Sequence, residues 1–210
     1  MFSLSGVRHA YAGVEALRLD AFAATQGEHW LVLGPSGCGK STLLHALGGL
    51  LRPQRGEIEV AGERIDRMGE AALDRWRGRA IGIVPQRLHL LPGLTLRDNL
   101  VLAQYAAGLP QNGDRVREVL ERVGLAARAL ARPHELSHGE AQRAAVARAV
   151  INRPRVLLAD EPTSNLDDAN CARSLDLLEG EARGCAATLV IATHDRRARE
   201  RFDRQLRLGA

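Results

Sequence analysis

A short run from Gly34 to Thr42 has the residue types and spacing of a phosphate-binding loop. It fits the pattern G-x-x-x-x-G-K-[ST], in which the second glycine is followed by Lys40 and Ser41. The glycines let successive backbone N–H groups point at one anion, Lys40 reaches the β- and γ-phosphates, and the Ser41 hydroxyl can bind Mg²⁺. The residues expected to contact a nucleotide are Gly34, Pro35, Ser36, Gly37, Cys38, Gly39, Lys40, Ser41 and Thr42.

Three further polar groups each follow a short apolar run that is typical of a buried strand. Gln86 follows the first run, Asp160 and Glu161 follow the second, and His194 follows the third. Ligands bind outside the carboxyl ends of parallel strands, so these groups should meet the phosphates at one sheet edge. Asp160 would hold Mg²⁺ directly or through water, and Glu161 would act as general base on the attacking water. Gln86 would contact the metal ion or the water, and His194 would donate to the γ-phosphate.

Taken singly, each of these groups has an ordinary structural interpretation. An acidic pair after a strand is often part of a turn, and a lone histidine is more often a surface or core residue. The convergence of all four groups on one edge, together with the loop and Lys40, indicates phosphoryl-transfer chemistry.

The elements that must position these groups follow from hydrophobic periodicity. Residues 2–8 and 17–24 alternate as antiparallel strands do, which places Tyr11 in the turn between them. An exposed Tyr11 either stacks on a purine base or is a plain surface residue. The phosphate loop is expected between a strand at 30–33 and a helix at 43–47. Other strands are predicted at 56–62, 80–84, 156–159 and 188–193, and other helices at 69–78 and 168–183.

Residues 87–152 predict an all-helical lobe inserted into an α/β core made of 1–86 and 153–210. Ser137 and Gly139 lie at the start of its last, alanine-rich helix, where free N–H groups can bind an anion. Because they are far from the phosphate loop in sequence and belong to the other lobe, a second subunit is a natural way to bring them to phosphate.

Composition limits the class of protein. The 210 residues suit one α/β domain, the net charge of +4 is mild, and aromatic residues make up 3%. Basic residues without interleaved aromatics predict no nucleic-acid partner. The sequence shows no membrane span and no signal-peptide order, so we expect a cytoplasmic location. Cys38, Cys171 and Cys185 form no metal spacing, which predicts reduced thiols. The arginine-rich tail would face solvent or lipid headgroups, and its interrupting acidic residues favour solvent.

With these motifs in place, the whole chain resembles the ATP-binding subunits of the ATP-binding cassette (ABC) family. Gly34 to Thr42 resembles the Walker A motif of that family, and Val156 to Glu161 resembles Walker B. Other matches are Tyr11 with the aromatic A-loop, Gln86 with the Q-loop, 164–167 with the D-loop, His194 with the switch histidine and 136–140 with the signature. The resemblance implies a P-loop NTPase fold with a RecA-like core, a mainly parallel sheet, an N-terminal antiparallel β portion and an inserted helical lobe.

The resemblance also implies an activity and partners. Two subunits, identical in the simplest case, would dimerise head to tail around two molecules of ATP with Mg²⁺ and hydrolyse them. Each ATP would contact the Walker A motif of one chain and Ser137 and Gly139 of the other, with Asp167 of the D-loop nearby. The dimer would drive an integral membrane permease from the inner face of the membrane, docking near Gln86 and the helical lobe. Cargo and direction of transport are set by membrane subunits.

The signature departs from the family pattern at two positions. His138 stands where the first glycine is expected, and Glu140 stands where a glutamine is expected. The glutamate and the segment 91–96 resemble the lipoprotein-releasing and macrolide-exporter branch. If the family's backbone is kept, His138 carries a penalty at a position that favours glycine and should reduce turnover. Cys38 is either a thiolate favoured by the helix N-terminus or an inert loop residue.

Two other functions fit part of the pattern. A soluble ABC-type ATPase acting on nucleic acid or ribosomes usually carries two cassettes or a long coiled-coil insertion, and this chain has neither. A weakly active regulatory or scaffold subunit would agree with His138. The presence of Lys40, Asp160, Glu161 and His194 argues against it.

Overall fold

Two β-sheets organise the chain in the computed structural model, which describes residues 1–164 and 166–209. The strands are β1 (Phe2–Tyr11), β2 (Val14–Ala24), β3 (His29–Leu33), β4 (Arg55–Val60), β5 (Glu63–Arg64), β6 (Ile81–Val84), β7 (Val156–Asp160), β8 (Thr188–Thr193) and β9 (Arg204–Arg207). The helices are α1 (Lys40–Leu47), α2 (Glu70–Ala80), α3 (Leu96–Ala106), α4 (Gly113–Arg122), α5 (His138–Val150), α6 (Asp168–Gly184) and α7 (Arg196–Arg199). Short 3₁₀ turns lie at Ile65–Arg67, Ala126–Arg128 and Pro133–Glu135.

The larger sheet is parallel, with strand order β6-β7-β8-β3-β9. Its central strands β7 and β8 are almost continuously apolar because helices cover both faces of the sheet. β3 ends at the phosphate loop, β7 ends at Asp160, and β8 ends immediately before His194. The fold therefore places these groups at one edge, and the predicted α/β class with a mainly parallel sheet is confirmed.

The smaller sheet is antiparallel, with order β2-β1-β4-β5, and supplies the predicted N-terminal β portion. Its β1–β2 hairpin closes through Ala12 and Gly13, which both have positive φ (48° and 83°) as a two-residue turn of this kind requires. Tyr11 is the last residue of β1 and pairs with Val14. The prediction that Tyr11 lies in the turn is wrong, because the strands run closer to the turn than their alternation suggested.

β9 was not predicted from the sequence. It pairs in parallel with β3 at the sheet edge, and Leu208 N–H continues the pairing by donating to Leu33 O at 2.8 Å. Its residues Arg204–Arg207 are exposed or half-buried, so they show no apolar period. The arginine-rich tail is thus part of the sheet that carries the phosphate loop.

Residues 87–152 contain α3, α4 and α5, as the sequence predicts. The apolar face of α4 contributes Val116, Val119 and Leu120 to the core. α5 buries its alanine-rich face and packs against α3, α4, β6 and α6. The division of the chain into two lobes at 87 and 152 stays a prediction.

Within residues 1–164 and 166–209, no helix combines the length and apolar character needed to cross a membrane. Cys38, Cys171 and Cys185 are free thiols, as their spacing predicts.

Candidate nucleotide site

The phosphate loop is held between β3 and α1 by close backbone packing. Gly39 has φ of 97°, and a Cβ built on it would lie 2.2 Å from the carbonyl oxygen of Ala16 in β2. A Cβ on Gly34 would lie 2.6 Å from the carbonyl oxygen of Leu208. Only glycine fits at these two positions, because strand β2 and the residue that follows β9 both lie against the loop backbone.

Lys40 is the first residue of α1, and its side chain is only 6% exposed. Its ammonium donates to the carbonyl oxygens of Gly34 (2.9 Å) and Pro35 (3.0 Å), so it curls back over the loop. The same Nζ atom lies 3.5 Å from Glu161 Oε1. The cation thus sits between the loop, where phosphates would bind, and the carboxylate at the end of β7.

Glu161 follows β7 directly and has a left-handed backbone, with φ of 47°. Its N–H donates to the carbonyl oxygen of Ala192 at 2.8 Å, which holds it against β8. Its carboxylate accepts from Thr193 Oγ1 at 2.9 Å and lies 2.9 Å from His194 Nδ1. An unfavourable backbone kept at a charged residue is typical of functional sites. The structure brings Lys40, Glu161 and His194 together, and Thr193 joins them although the sequence analysis missed it.

Asp160 and Ser41 form a second small group beside this one. Burial raises the pKa of Asp160, and a hydrogen bond with the Ser41 hydroxyl partly opposes that shift. Asp160 Oδ1 is buried without a hydrogen-bond partner. A hydroxyl beside an unpartnered carboxylate oxygen is the oxygen donor set that Mg²⁺ takes in nucleotide sites. No cluster of three or more His, Cys, Asp or Glu side chains that could hold a metal occurs in the described part of the chain.

Gln86 lies two residues beyond the end of β6 and is exposed. No hydrogen bond joins it to Asp160 or Glu161 in the structure, so its contact with the metal ion or the water stays a prediction. The segment after it is held by Arg148 of α5, which donates to the carbonyl oxygens of Leu88 (2.8 Å) and His89. Burial lowers the pKa of Arg148. No pattern in the sequence indicates this contact between α5 and the Gln86 segment.

Tyr11 lies at the tip of the β1–β2 hairpin, beside the strand that touches Gly39. Its side chain is 50% exposed, and its ring meets the ring of the buried His9 edge to face, with centroids 4.7 Å apart. One face of Tyr11 therefore remains available for stacking on a base, while His9 fixes the ring from behind.

Ser137, His138 and Gly139 are exposed at the N-terminus of α5. Ser137 and Glu140 form a capping box: Ser137 Oγ accepts from the Glu140 N–H (3.3 Å), and Glu140 Oε2 accepts from the Ser137 N–H (2.8 Å). Glu140 Oε2 also accepts the Ser137 hydroxyl, at 2.8 Å. These bonds lower the pKa of Glu140. Within one chain, no hydrogen bond or ion pair connects this helix end to the phosphate loop.

His138 has ordinary helical backbone, since it is the first residue of α5 and is not among the residues with positive φ. The prediction that His138 carries a backbone penalty is therefore wrong. What distinguishes His138 from glycine is an exposed imidazole at the helix N-terminus.

Asp167 caps α6 by accepting from the Asn170 N–H at 2.8 Å and from the Asn170 side chain at 2.7 Å. These hydrogen bonds lower the pKa of Asp167. Its carboxylate is thus already hydrogen-bonded within the chain. Asn165 of the predicted D-loop lies outside the described residues.

Comparison with known proteins agrees with this geometry. The profile of the ABC transporter family matches residues 18–164. The chain is 43% identical over 197 residues to the lipoprotein-releasing system ATP-binding protein LolD of Chromohalobacter salexigens, covering 93% of this chain and 82% of that protein. It is 41% identical to LolD of Cereibacter sphaeroides, covering 100% of this chain and 97% of that one.

Solved structures show the same fold. The ATP-binding cassette MJ0796, in a dimeric post-hydrolysis state bound to ADP and Pi, superimposes with a TM-score of 0.89 at 30% identity. The match covers 99% of this chain and 94% of that chain. The phosphate loop, the Glu161 and His194 pair at the strand ends, and these comparisons lead to one conclusion. This chain belongs to the ABC transporter family, as an ATP-binding subunit that hydrolyses ATP.

Proposed function

We propose that two copies of the chain close head to tail around two Mg²⁺-ATP and that their opening and closing drives a separate membrane permease. The observation that carries this proposal is the separation of two half-sites in one chain. Lys40, Glu161 and His194 meet at the loop, while Ser137 and Gly139 lie exposed at the start of α5, with no hydrogen bond or ion pair to the loop residues. A second copy completes the site. The dimeric cassettes among the similar solved structures support this arrangement.

At each site the chain's own residues divide the work by charge. Lys40 leaves its contacts with the loop carbonyls to meet the β- and γ-phosphates of ATP. Glu161 then orients a water against the γ-phosphorus and accepts its proton. His194, already 2.9 Å from the Glu161 carboxylate, donates to the γ-phosphate and keeps the carboxylate aimed. The backbone N–H groups of Gly37 and Gly39 stabilise the charge on the β-phosphate.

Ser41 and Asp160 are the residues that would hold Mg²⁺, with Gln86 joining them when its segment moves inward. The ion, when bound, neutralises charge on the β- and γ-phosphate oxygens. The unpartnered, buried Oδ1 atom of Asp160 supports this assignment, since a carboxylate oxygen without a donor is costly unless a cation is its partner.

Tyr11 stacks on the adenine. The trans contact requires Ser137 to turn its hydroxyl from Glu140 to the γ-phosphate, while the N–H groups at the start of α5 face the same anion. The negative charge of Glu140, which is also within 3.3 Å of Arg128, then lies near the phosphates. We propose that the repulsion between Glu140 and the phosphates, together with the imidazole of His138, moderates ATP turnover.

The permease docks in a groove of about 440 Å³ between α2, β6, α3 and α5. Asp74 and Arg77 line one wall, Ala103 and Ala106 line another, and Arg148 connects the groove to the Gln86 segment. This groove adjoins the helices of the proposed lobe at 87–152. A partner bound there would sense whether Gln86 has moved toward the nucleotide. The chain then works at the cytoplasmic, inner face of the membrane, with no nucleic acid among its partners.

The relatives named LolD favour a permease of the lipoprotein-releasing or macrolide-exporter type. Tagged Glu161→Gln protein, expressed in its native cells and purified from gently solubilised membranes with ATP, tests this. A partner with few spans and a large extracytoplasmic domain is expected, and the same preparation without nucleotide is the control. Soluble partners alone, with or without ATP, would contradict the proposal and favour an ATPase acting on nucleic acid or ribosomes.

A further inference from the structure

One arginine of the C-terminal segment differs from its neighbours in what it contacts. The Arg197 guanidinium donates from Nε to both carboxylate oxygens of Asp195, at 3.0 and 3.1 Å, and from Nη2 to Oδ2 at 2.7 Å. Its Nη1 donates to the carbonyl oxygen of Leu166 at 3.0 Å and to Asp168 Oδ1 at 2.8 Å. Arg197 thus joins the turn after β8 to the start of α6, which lies about thirty residues earlier in the chain.

The two segments that Arg197 joins both border the nucleotide site. Asp195 follows His194 directly, and its N–H donates to Thr193 Oγ1 at 3.0 Å. Thr193 in turn donates to Glu161 Oε2 at 2.9 Å. A continuous series of hydrogen bonds therefore runs from the Glu161 carboxylate to the N-terminus of α6. On α6 itself, the buried Cys171 thiol lies 3.8 Å from Asp195 Oδ2.

A single exposed ion pair would contribute little to stability. Arg197, however, contacts two carboxylates and a backbone carbonyl group at once. A planar guanidinium can meet a carboxylate in a fork and still use its remaining N–H groups elsewhere, which an ammonium cannot do. The hydrogen bonds from Arg197 hold the pKa of Asp195 well below its usual range. By contrast, the neighbouring Arg196 and Arg199 side chains make no ion pair or hydrogen bond with any residue in 1–164 or 166–209.

We propose that Arg197 is a positioning residue: with Asp195, Leu166 and Asp168 it forms a clasp that makes the Glu161–His194 pair and the start of α6 move as one unit. The clasp does not touch the reacting atoms. It acts through Asp195, which fixes the turn carrying His194. The inference rests on the proposed function in one respect, because the clasp affects turnover only if Glu161 and His194 act on ATP as proposed.

Steady-state ATP turnover of Arg197→Ala, Arg197→Lys and the matched control Arg196→Ala tests the clasp. At a temperature well below the Tm of every variant, Arg197→Ala should lower kcat about tenfold while KM for ATP changes little, since a displaced catalytic group costs rate more than binding. Arg197→Lys should lower kcat similarly, because one ammonium cannot span Asp195 and Asp168. Arg196→Ala should keep the wild-type kcat. A residue that only stabilised the fold would lower the Tm without lowering kcat.

A double-mutant comparison and a readout without turnover complete the test. Arg197→Ala combined with Asp168→Ala should be no slower than Arg197→Ala alone, because both changes open the same clasp. Cys171 should react with iodoacetamide faster in Arg197→Ala than in Arg196→Ala, as measured by mass spectrometry of peptides. Independent, multiplying effects on kcat, or equal Cys171 reactivity, would overturn the inference. If wild-type turnover needs no dimer, the proposed function fails while the alkylation result still tests the clasp.

Discussion

Replacing Gly39 by alanine should destabilise the protein more than replacing Gly37, although both glycines lie in the same loop. Both have positive φ, 97° and 82°, so an alanine at either position pays about 1–2 kcal/mol for a left-handed backbone. At Gly37 no atom lies within 4 Å of the added Cβ. At Gly39 the Cβ would lie 2.2 Å from the Ala16 carbonyl oxygen, which belongs to a strand and cannot swing away.

The clash adds the cost of overpacking, about 1–3 kcal/mol. Urea unfolding of the nucleotide-free protein should therefore show Gly37→Ala losing about 1–2 kcal/mol and Gly39→Ala losing about 2–5 kcal/mol. Measuring both without nucleotide keeps effects on ATP binding out of the comparison. Equal losses within about 0.5 kcal/mol would refute the contact between the phosphate loop and β2, since that is the resolution of such differences.

Three further changes test separate parts of the site and fold. Hydrogen bonds from the Trp30 indole and from Thr25 lower the pKa of Glu28 to about 2, so its ionised form contributes stability that is present above its ordinary pKa of 4.5 and is lost as the pH falls toward 2. Urea midpoints of Glu28→Gln should accordingly depend less on pH across that window than those of the wild type, and identical pH profiles would contradict the assignment. His138→Gly should raise kcat for ATP because the imidazole no longer stands at the α5 N-terminus; an unchanged or lower kcat would count against that role. Tyr11→Ala should raise KM for ATP about tenfold, while Tyr11→Phe keeps it near wild type, because stacking on a base is worth about 1–3 kcal/mol and needs the ring but not the hydroxyl; equal KM values for the two variants would exclude stacking.

Most elements of the fold can be predicted because their apolar periods are intact. The runs that became β7 and β8 are apolar on both faces, which is typical of central parallel strands. β9 could not be predicted, because Arg204–Arg207 is a polar edge strand whose only requirement is pairing with β3. The predicted position of Tyr11 was wrong for a related reason: hydrophobic periodicity does not determine at which residue a two-residue turn begins.

The candidate site, like the fold, can be predicted from the sequence only in part. Motif spacing predicts that Lys40, Glu161 and His194 come together, because each follows or begins an element whose end is fixed by the sheet. Motif spacing cannot predict the left-handed backbone of Glu161, which comes from its hydrogen bond to Ala192 across β8. Nor can it predict the Arg197 clasp, whose partners come from two separate segments of the sequence, the start of α6 and the turn after β8.

The most direct test of the central claim is the mass of Glu161→Gln protein in solution, with and without Mg²⁺-ATP. This change keeps the size of the side chain and removes the general base, so bound ATP should persist. Size-exclusion chromatography with light scattering should show a monomer without nucleotide and a dimer with it. Adding Ser137→Ala as the control change should weaken the dimer, since one trans contact to phosphate is lost. A strict monomer at saturating Mg²⁺-ATP would contradict the head-to-tail cassette proposed for this chain.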